Sequence, residues 1–434
     1  MARFDGPDVP AAPPEDEQAD RAQTAANLAV SPEIVATSVS EYLRMSFARI
    51  RAGETGILPV VAGLLLVSIL FQWLNDNFLT PGNLVNLLVQ AAVFSVLAMG
   101  EVYVLLLGEI DLSAGFVAGL GGVVMGELVR SSMGWPWWAA ILIGLAICAA
   151  IGLVQGTIIT RVGLPSFIVT LAGLLFWQGV MLKVLGEGGA ILINDKTIND
   201  ITSANLSPVA GWIVLFVIVG VSGAVTWRRD ARRRAAGLVA PPPALTAIKI
   251  AAGFIGGAII VAICNVDRGR AISISGVPLV VLLVFVVLAL WTFVLSRMRF
   301  GRYIYAIGGN AEAARRAGVN LARIRTMAFV LCSLTAGIAG VIYASRLRSI
   351  STAIDGGTLV LYAVAAAVIG GTSLFGGRGK ALHGVLGGIV IAAIDNGMGL
   401  VGFDAASKFM VTAIVLLVAV TIDALARRGR VAGR

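Results

Sequence analysis

Twelve apolar runs divide the chain, at 57–74, 84–107, 112–129, 137–160, 164–185, 209–226, 247–264, 277–295, 326–344, 359–376, 382–400 and 406–425. Each approaches the ~20 residues that carry a helix across roughly 30 Å of hydrocarbon. The pattern therefore predicts an all-α polytopic membrane protein with about 12 transmembrane segments (10–12). Glycine is dense in 112–129 and 359–400, and broken or re-entrant helices are expected there. LLLGEIDLSAGFVAGLGG at 105–122 parallels AAVIGGTSLFGGRGKALHGVLGG at 366–388, each with a glycine break and a serine after an apolar lead-in. Paired interruptions of this kind point to two weakly related halves with Gly-broken helices around a central path.

The flanks differ from this body. Residues 1–30 are rich in Pro, Ala, Asp and Glu and read as a disordered cytoplasmic tail, with no apolar core that would mark a cleavable signal peptide. Ser31-Pro32-Glu33 resembles a helix start, and Ile34, Val35, Val39, Tyr42 and Leu43 would line one face of an interfacial helix over 31–52. The membrane domain is expected over 53–426, with a basic cytoplasmic tail at 427–434. Among the loops, 186–208 is polar and suited to a rim on the outer side. Arg268, Arg270, Arg346 and Arg348 also fall outside, where they would pair with acids of an extracytoplasmic partner or sit solvated among headgroups.

Composition agrees. With 434 residues, 58% hydrophobic and 13% charged, the chain is too apolar for a soluble globule. A net charge of +9 invites a nucleic-acid reading, but on the alternating topology most of the 33 Lys and Arg fall on one side. That asymmetry orients the chain in a bilayer, with both termini in the cytoplasm. Cys148, Cys264 and Cys332 lie far apart in apolar runs and read as core hydrophobes. His383 is the single histidine, so no metal site is expected.

One polar island stands out. Arg297–Arg325 reads RMRFGRYIYAIGGNAEAARRAGVNLARIR and holds seven arginines against one acid, Glu312. Gly308 and Gly309 break the chain, Asn310 can cap, Ala311–Ala317 favours helix and Gly318 stops it. The result is a short exposed helix with small residues Ala311, Ala313 and Ala314 and the basic pair Arg315 and Arg316, suited to a cleft in another protein. The plainer alternative is a basic loop that only fixes topology.

Polar residues inside the apolar regions come next, because ionisable groups in spanning segments are costly and mark function by default. Glu109, Asp111 and Ser113 stand between two runs, where Asp111 and Ser113 would cap the following helix or face the transport path. Glu101 is expected to face the protein interior. Gly370, Gly371, Thr372 and Ser373 open a glycine-rich reversal that lacks the order of a phosphate-binding loop. Asp395 and Asn396 interrupt a later run, where they would bond a polar solute or a neighbouring helix.

EIDLS at 109–113, PSFIVTLAG at 165–173, GRYIYAIGGNAEAARRAGVN at 301–320, VIGGTSLFGG at 368–377 and DNGM at 395–398 together resemble the permease subunit of bacterial ATP-binding-cassette sugar importers. This is the ribose, xylose and branched-chain amino acid permease superfamily, and Glu109 and the extra segments around WRRDARRR (227–234) look like its xylose branch. The resemblance implies a permease domain whose loop 297–325 carries a coupling helix, with Gly309, Asn310, Ala311, Glu312, Ala313, Ala314, Arg315, Arg316 and Gly318 docking into a separate ATPase. It implies a permease homodimer, an extracytoplasmic sugar-binding protein, a sugar substrate and a place in the bacterial cytoplasmic membrane. Pro165 and Ser166 join the candidates for a helix break or the transport path. The sequence contains no Walker A motif, so no cofactor is expected on this chain and ATP would be bound by the partner. A second class, an ion-coupled secondary transporter using Glu109 and Asp111, stays open on the residues alone. A membrane enzyme would need a nucleophile and base that the sequence does not offer.

Overall fold

The computed structural model describes residues 58–415 apart from 239, 270–272 and 353, together with 38, 40–42, 44, 45, 417 and 421. Both tails and most of the expected interfacial helix at 31–52 lie outside the described residues, as does Arg270. The helices are α1 (Leu58–Leu74), α2 (Pro81–Leu106), α3 (Ala114–Val129), α4 (Trp137–Thr157, extended by a π turn to Val162), α5 (Ser166–Leu185), α6 (Lys196–Ser203), α7 (Pro208–Ala235) and α8 (Pro243–Asn265). They continue with α9 (Leu279–Arg297), α10 (Arg299–Gly309), α11 (Ala311–Arg316), α12 (Leu321–Leu347), α13 (Gly356–Ile369), α14 (Ala381–Val401) and α15 (Ala405–Val415). Two short strands, β1 (Ala190–Leu192) and β2 (Ser349–Ser351), complete the set.

Every one of the twelve apolar runs contains a helix, and among the described residues eight of these helices are long and apolar enough to cross a membrane. The other four, α1, α3, α13 and the described part of α15, are shorter; α3 and α13 fall in the glycine-dense stretches where breaks were expected, but α14, in the second of those stretches, runs unbroken over Ala381–Val401. Hydropathy measures the length of an apolar run, whereas the helix within it starts only where the chain leaves its turn. In front of α3, residues 107–113 form a non-helical segment in which Glu109, Asp111 and Ser113 are buried, and it takes the first two residues of the run.

One unit comprises residues 56–212 and 260–434. At its centre stands α2, with α12, α13 and α14 packed around it, while α12 also packs on α3 and α4. Lipid supplies no hydrophobic drive between helices, so close contact depends on small side chains. Thus Gly384 and Gly388 of α14 meet the α2 backbone near Met99 and Ser95, and Gly152 and Gly156 of α4 meet α12 at Phe329 and Thr326. At one end β1 pairs antiparallel with β2, Ile191 opposite Ile350. Beside this ladder, α6 is capped by Asp195 and held to α12 by Thr202 Oγ1 and Ser345 Oγ at 2.8 Å. The polar loop 186–208 is therefore an ordered rim, sealed beneath by the fully buried Ile191, Ile193 and Ile198.

The second unit holds the greater part of α7 and α8. Its helices join through Phe216 and Phe254, ring centres 5.4 Å apart, and through Leu215 over Gly257. Beyond them, the buried Asp230 accepts from Thr246 Oγ1 at 3.1 Å and from Arg229 Nε at 3.1 Å.

Candidate functional site

The polar island begins with α10, whose Gly301, Ile304 and Ile307 are buried. Gly301 lets the helix fold hard against Leu295 at the end of α9, where an added Cβ would stand 2.2 Å from the Leu295 carbonyl oxygen. At the far end of α10, Gly308 meets two other loops. A Cβ there would fall 1.8 Å from the Leu106 carbonyl oxygen at the end of α2 and 2.5 Å from the Gly377 nitrogen. Gly377 itself donates its amide to that Leu106 oxygen at 2.8 Å, and Tyr305 Oη donates to the Gly379 carbonyl at 2.7 Å. Gly376 and Gly377 both sit in the left-handed region, φ +87° and +75°, which lets their main chain approach so closely.

From this junction the short helix α11 projects. Asn310 Oδ1 accepts from the Ala313 amide at 2.9 Å, and Gly318, φ +81°, turns the chain out of the helix. Asn320 then caps α12 by accepting from the Arg323 amide at 2.9 Å. Cap, short helix and stop thus stand as the sequence predicts, with the helix one residue shorter at its end. Ala314 alone of its residues is buried; Gly309, Ala311, Glu312, Ala313, Arg315, Arg316 and Gly318 are exposed. Glu312 accepts from both arginines, at 2.8 Å from Arg315 and 3.1 Å from Arg316, which lowers the positive charge of the knob.

The segment 109–113 lies beside this junction. Glu109 is ion-paired with Arg325, in the first turn and a half of α12, so it is tied to the helix that leaves the knob. Asp111 is fully buried, and its Oδ1 accepts from the Ser113 amide at 3.0 Å and from Ser113 Oγ at 2.6 Å. Ser113 precedes α3, but its side chain bonds none of the helix amides. The expectation that Asp111 and Ser113 cap the helix is therefore corrected. Ser113 already has helical dihedrals, φ −84° and ψ −18°, and its hydroxyl faces Asp111 and Gln155 Oε1, 3.0 Å away. Together they close the turn in front of the helix. From α5, which Pro165 leads into and Ser166 begins, Thr170 Oγ1 reaches the Ile110 carbonyl at 3.3 Å and the Ser166 carbonyl at 2.9 Å. Glu101 is buried within α2, as expected, with Cys332 Sγ 3.8 Å from its Oε1. One carboxylate oxygen each of Glu101, Glu109 and Asp111 has no hydrogen-bond partner among the described residues.

The second glycine segment supplies the other side of the junction. Gly370 packs on the His383 carbonyl, Thr372 Oγ1 stands 3.4 Å from His383 Nδ1, and Gly371 takes φ +109°. The Ser373 amide donates to the Arg378 carbonyl at 2.9 Å, and Ser373 Oγ accepts from Phe375 at 3.3 Å, so these residues form the reversal. The two echoing segments thus meet in space, with Gly108 against Phe375 and Gly376. Asp395 and Asn396 lie elsewhere, roughly 20 Å further along α14 at 1.5 Å per residue. Asn396 exchanges amide hydrogen bonds with Asn83 of α2 at 2.8 and 3.0 Å, which is the helix-to-helix alternative of the sequence reading.

Sequence reasoning missed Arg325, Tyr305, Gly308, Gly376 and Gly377 as members of one junction. The only signal was an arginine at the mouth of an apolar run and an acid in a glycine turn, 216 residues away. The outward arginines also differ from expectation. Arg268 folds back onto the carbonyls of Cys264, Val266 and Gly276, and Arg346 is half-buried, which leaves Arg348 as the exposed one described. Next to Arg268, the amides of Gly269 and Ile274 point at Asp267 and hold its carboxyl below the usual range.

A family model described as the permease component of branched-chain amino acid transport systems matches residues 83–420. The chain is similar to the xylose transport system permease protein XylH of Escherichia coli (strain K12), 34% identical over 388 residues, which cover 88% of this chain and 95% of that protein. It is also similar to XylH of Haemophilus influenzae, 33% identical over 80% of this chain and 90% of that one. The ribose import permease protein RbsC of Escherichia coli (strain K12) is 30% identical over 84% of this chain and 92% of its own length. No solved structure matches the chain. A polytopic bundle, a capped helical knob at its arginine-rich end and a match over most of its length lead to one assignment: the chain belongs to the family of branched-chain amino acid transport system permease components.

Proposed function

We propose that this chain is the membrane-spanning permease subunit of an ATP-driven importer that moves a monosaccharide, D-xylose or a near relative, into the cytoplasm. It sits in the bacterial cytoplasmic membrane with both termini inside, and α11 docks into a separate ATPase that binds the ATP. A second copy of the permease and an extracytoplasmic sugar-binding protein complete the assembly. The observation that carries this reading is the build of the knob: α11 is capped at its start, stopped by Gly318 and rooted through Gly308 in the end of α2 and the 376–377 turn. A push on α11 therefore reaches two loops of the bundle through main-chain contact. The sugar class is supported by the xylose and ribose permeases to which the chain is similar. None of these relatives is named as an ion-coupled transporter, so nothing favours the alternative that uses Glu109 and Asp111.

Gly318→Val tests the coupling role. No side chain crowds Gly318, so its cost is the left-handed backbone alone, about 1–2 kcal/mol, spent at the helix stop. We expect normal membrane insertion with ATP hydrolysis uncoupled from uptake. Unchanged uptake and unchanged stimulated hydrolysis would remove α11 from the coupling path. Labelling of a cysteine placed at Arg315 from each side of sealed vesicles checks that the knob faces the cytoplasm.

A further inference from the structure

We infer that the groove between α7 and α8 holds an anionic phospholipid, with an acyl chain along its apolar floor and the phosphate against Arg228 and Arg232. This goes beyond the transport reading and does not depend on it.

The groove follows one stripe of α7. Phe216, Gly220, Gly223, Ala224, Trp227 and Arg228 recur at helical spacing along it, and Ile250 and Phe254 of α8 form the facing wall. Its volume is about 420 Å³, within the roughly 300–1,000 Å³ of small-molecule sites. Missing side chains make the space: a Cβ at Gly223 would meet Ile250 Cγ2 at 3.1 Å, whereas one at Gly220 would meet nothing within 4 Å. The Phe216–Phe254 pair, ring centres 5.4 Å apart, stands at one end, with Trp227 and Arg228 at the other. At 1.5 Å per residue the stripe from Phe216 to Arg228 is roughly 18 Å long, a little more than the ~15 Å of one hydrocarbon leaflet. A lipid with its headgroup at Arg228 therefore lays its chain over Gly220.

Charge selects the lipid. Arg229 is paired with Asp230 at 3.1 Å, and Arg234 donates to the Pro241 carbonyl at 2.7 Å while its guanidinium carbon lies 5.9 Å from the centre of the Trp227 ring. Arg228 and Arg232 are exposed, and among the described residues neither has a hydrogen bond or an ion pair. Four residues apart on a helix, they are surface neighbours. Arg228 also lies two turns before the end of α7, outside the last turn in which a cation offsets the helix dipole. Two uncompensated positive charges at the mouth of an apolar groove match a phosphate joined to hydrocarbon. Trp227 beside them is the kind of ring that settles at headgroup level.

Small residues at the spacing of Gly220 and Ala224 also serve membrane helices that pack on one another. The charges disfavour that occupant. A two-fold contact between copies along this stripe sets each Arg228 against its counterpart, and no acid lines the groove to part them. A phospholipid brings the missing negative charge with it.

The test places the full chain in phosphatidylcholine vesicles that contain a minor fraction of phosphatidylglycerol with a photoactivatable acyl chain, and maps the adducts by mass spectrometry. Adducts are expected on α7 and α8 along the groove. Unlabelled phosphatidylglycerol should displace them, and added phosphatidylcholine or inorganic phosphate should not. Arg228→Gln with Arg232→Gln is expected to lower labelling about fivefold for each charge removed, the weight of one basic side chain at an anionic surface. Gly220→Leu fills the groove from its floor, where no protein atom stands in the way of the new Cβ, and is expected to abolish labelling. Arg299→Gln, an exposed arginine that does not line the groove, should leave labelling unchanged. Thermal unfolding checks that each variant folds; if Gly220→Leu does not, the arginine pair decides alone. Labelling that phosphatidylcholine or inorganic phosphate displaces equally well, or that survives the loss of both arginines, overturns the proposal. So does copy-to-copy cross-linking through Gly220→Cys, which would make the stripe an interface between permeases.

Discussion

At the arginine-rich end, Gly308, Gly376, Gly377 and Leu106 bring three loops together main chain to main chain. At the opposite end the contacts run through side chains alone: Lys408 of α15 stands 3.9 Å from Asp395 of α14, and Thr412 Oγ1 of α15 donates to Tyr362 Oη of α13 at 3.4 Å. Backbone contacts have no rotamers to relax, so a displacement at the first end is passed on whole. Side chains can turn and rebond, so a displacement at the second end is absorbed. The difference sets a stiff end of the bundle against a yielding one.

The sharpest way to break that contrast is Gly308→Val. Its branched side chain must occupy space already taken by the Leu106 carbonyl and the Gly377 amide, an overpacking cost of roughly 3 kcal/mol or more. We expect ATP-driven sugar uptake by the reconstituted transporter to be lost. Gly179→Ala in α5, outside the docking residues, meets nothing within 4 Å and is expected to transport normally. Equal effects from the two would show that the junction tolerates space-filling and transmits nothing.

A smaller effect is expected at the ion pair. Replacing Glu109 or Arg325 by Gln leaves its partner unpaired at sites where the side chains are 10% and 32% exposed. We expect about 1–3 kcal/mol lost from either change, toward the low end because Arg325 reaches solvent. Thermal unfolding in detergent measures the loss, and uptake per ATP measures its effect on coupling. Exchanging the charges, Glu109→Arg with Arg325→Glu, should recover part of both; no recovery would mean that the pair is not a link between α12 and the 109–113 segment.

Asn310→Ala should do least. Losing one N-cap costs about 1 kcal/mol, enough to fray a six-residue helix but not to move the junction beneath it. Stimulated hydrolysis is expected to fall severalfold at limiting ATPase concentration and to recover when the ATPase is in excess. A fall that excess ATPase leaves unchanged would place Asn310 in transmission instead of docking.

Local features were legible wherever they depended on neighbours in the chain. Asn310, the alanines and Gly318 specify a cap, a helix and a stop within nine residues, and they fold as read. Of the glycine-dense stretches where broken or re-entrant helices were expected, 112–129 and the first part of 359–400 hold the short α3 and α13, whereas α14 runs unbroken over Ala381–Val401. Asp111 and Ser113 misled because a side chain able to cap can equally close the preceding turn, and the dihedrals of Ser113 decide between the two. Arg346 misled for another reason: charge counting assigns a residue to a side of the membrane, but not to a surface or an interior.

By itself the amino-acid sequence determined the membrane character of this protein, the places where its helices run and break, and the chemistry of the knob. These depend on apolar length, on glycine and on caps, all of which act within a few residues. Only the tertiary structure decided which distant groups meet: Glu109 with Arg325, Gly308 with Leu106 and Gly377, and Asn83 with Asn396. Such meetings follow from how helices pack against one another. In lipid that packing is fixed by close fits between small residues far apart in the chain, and a one-dimensional pattern carries no record of them.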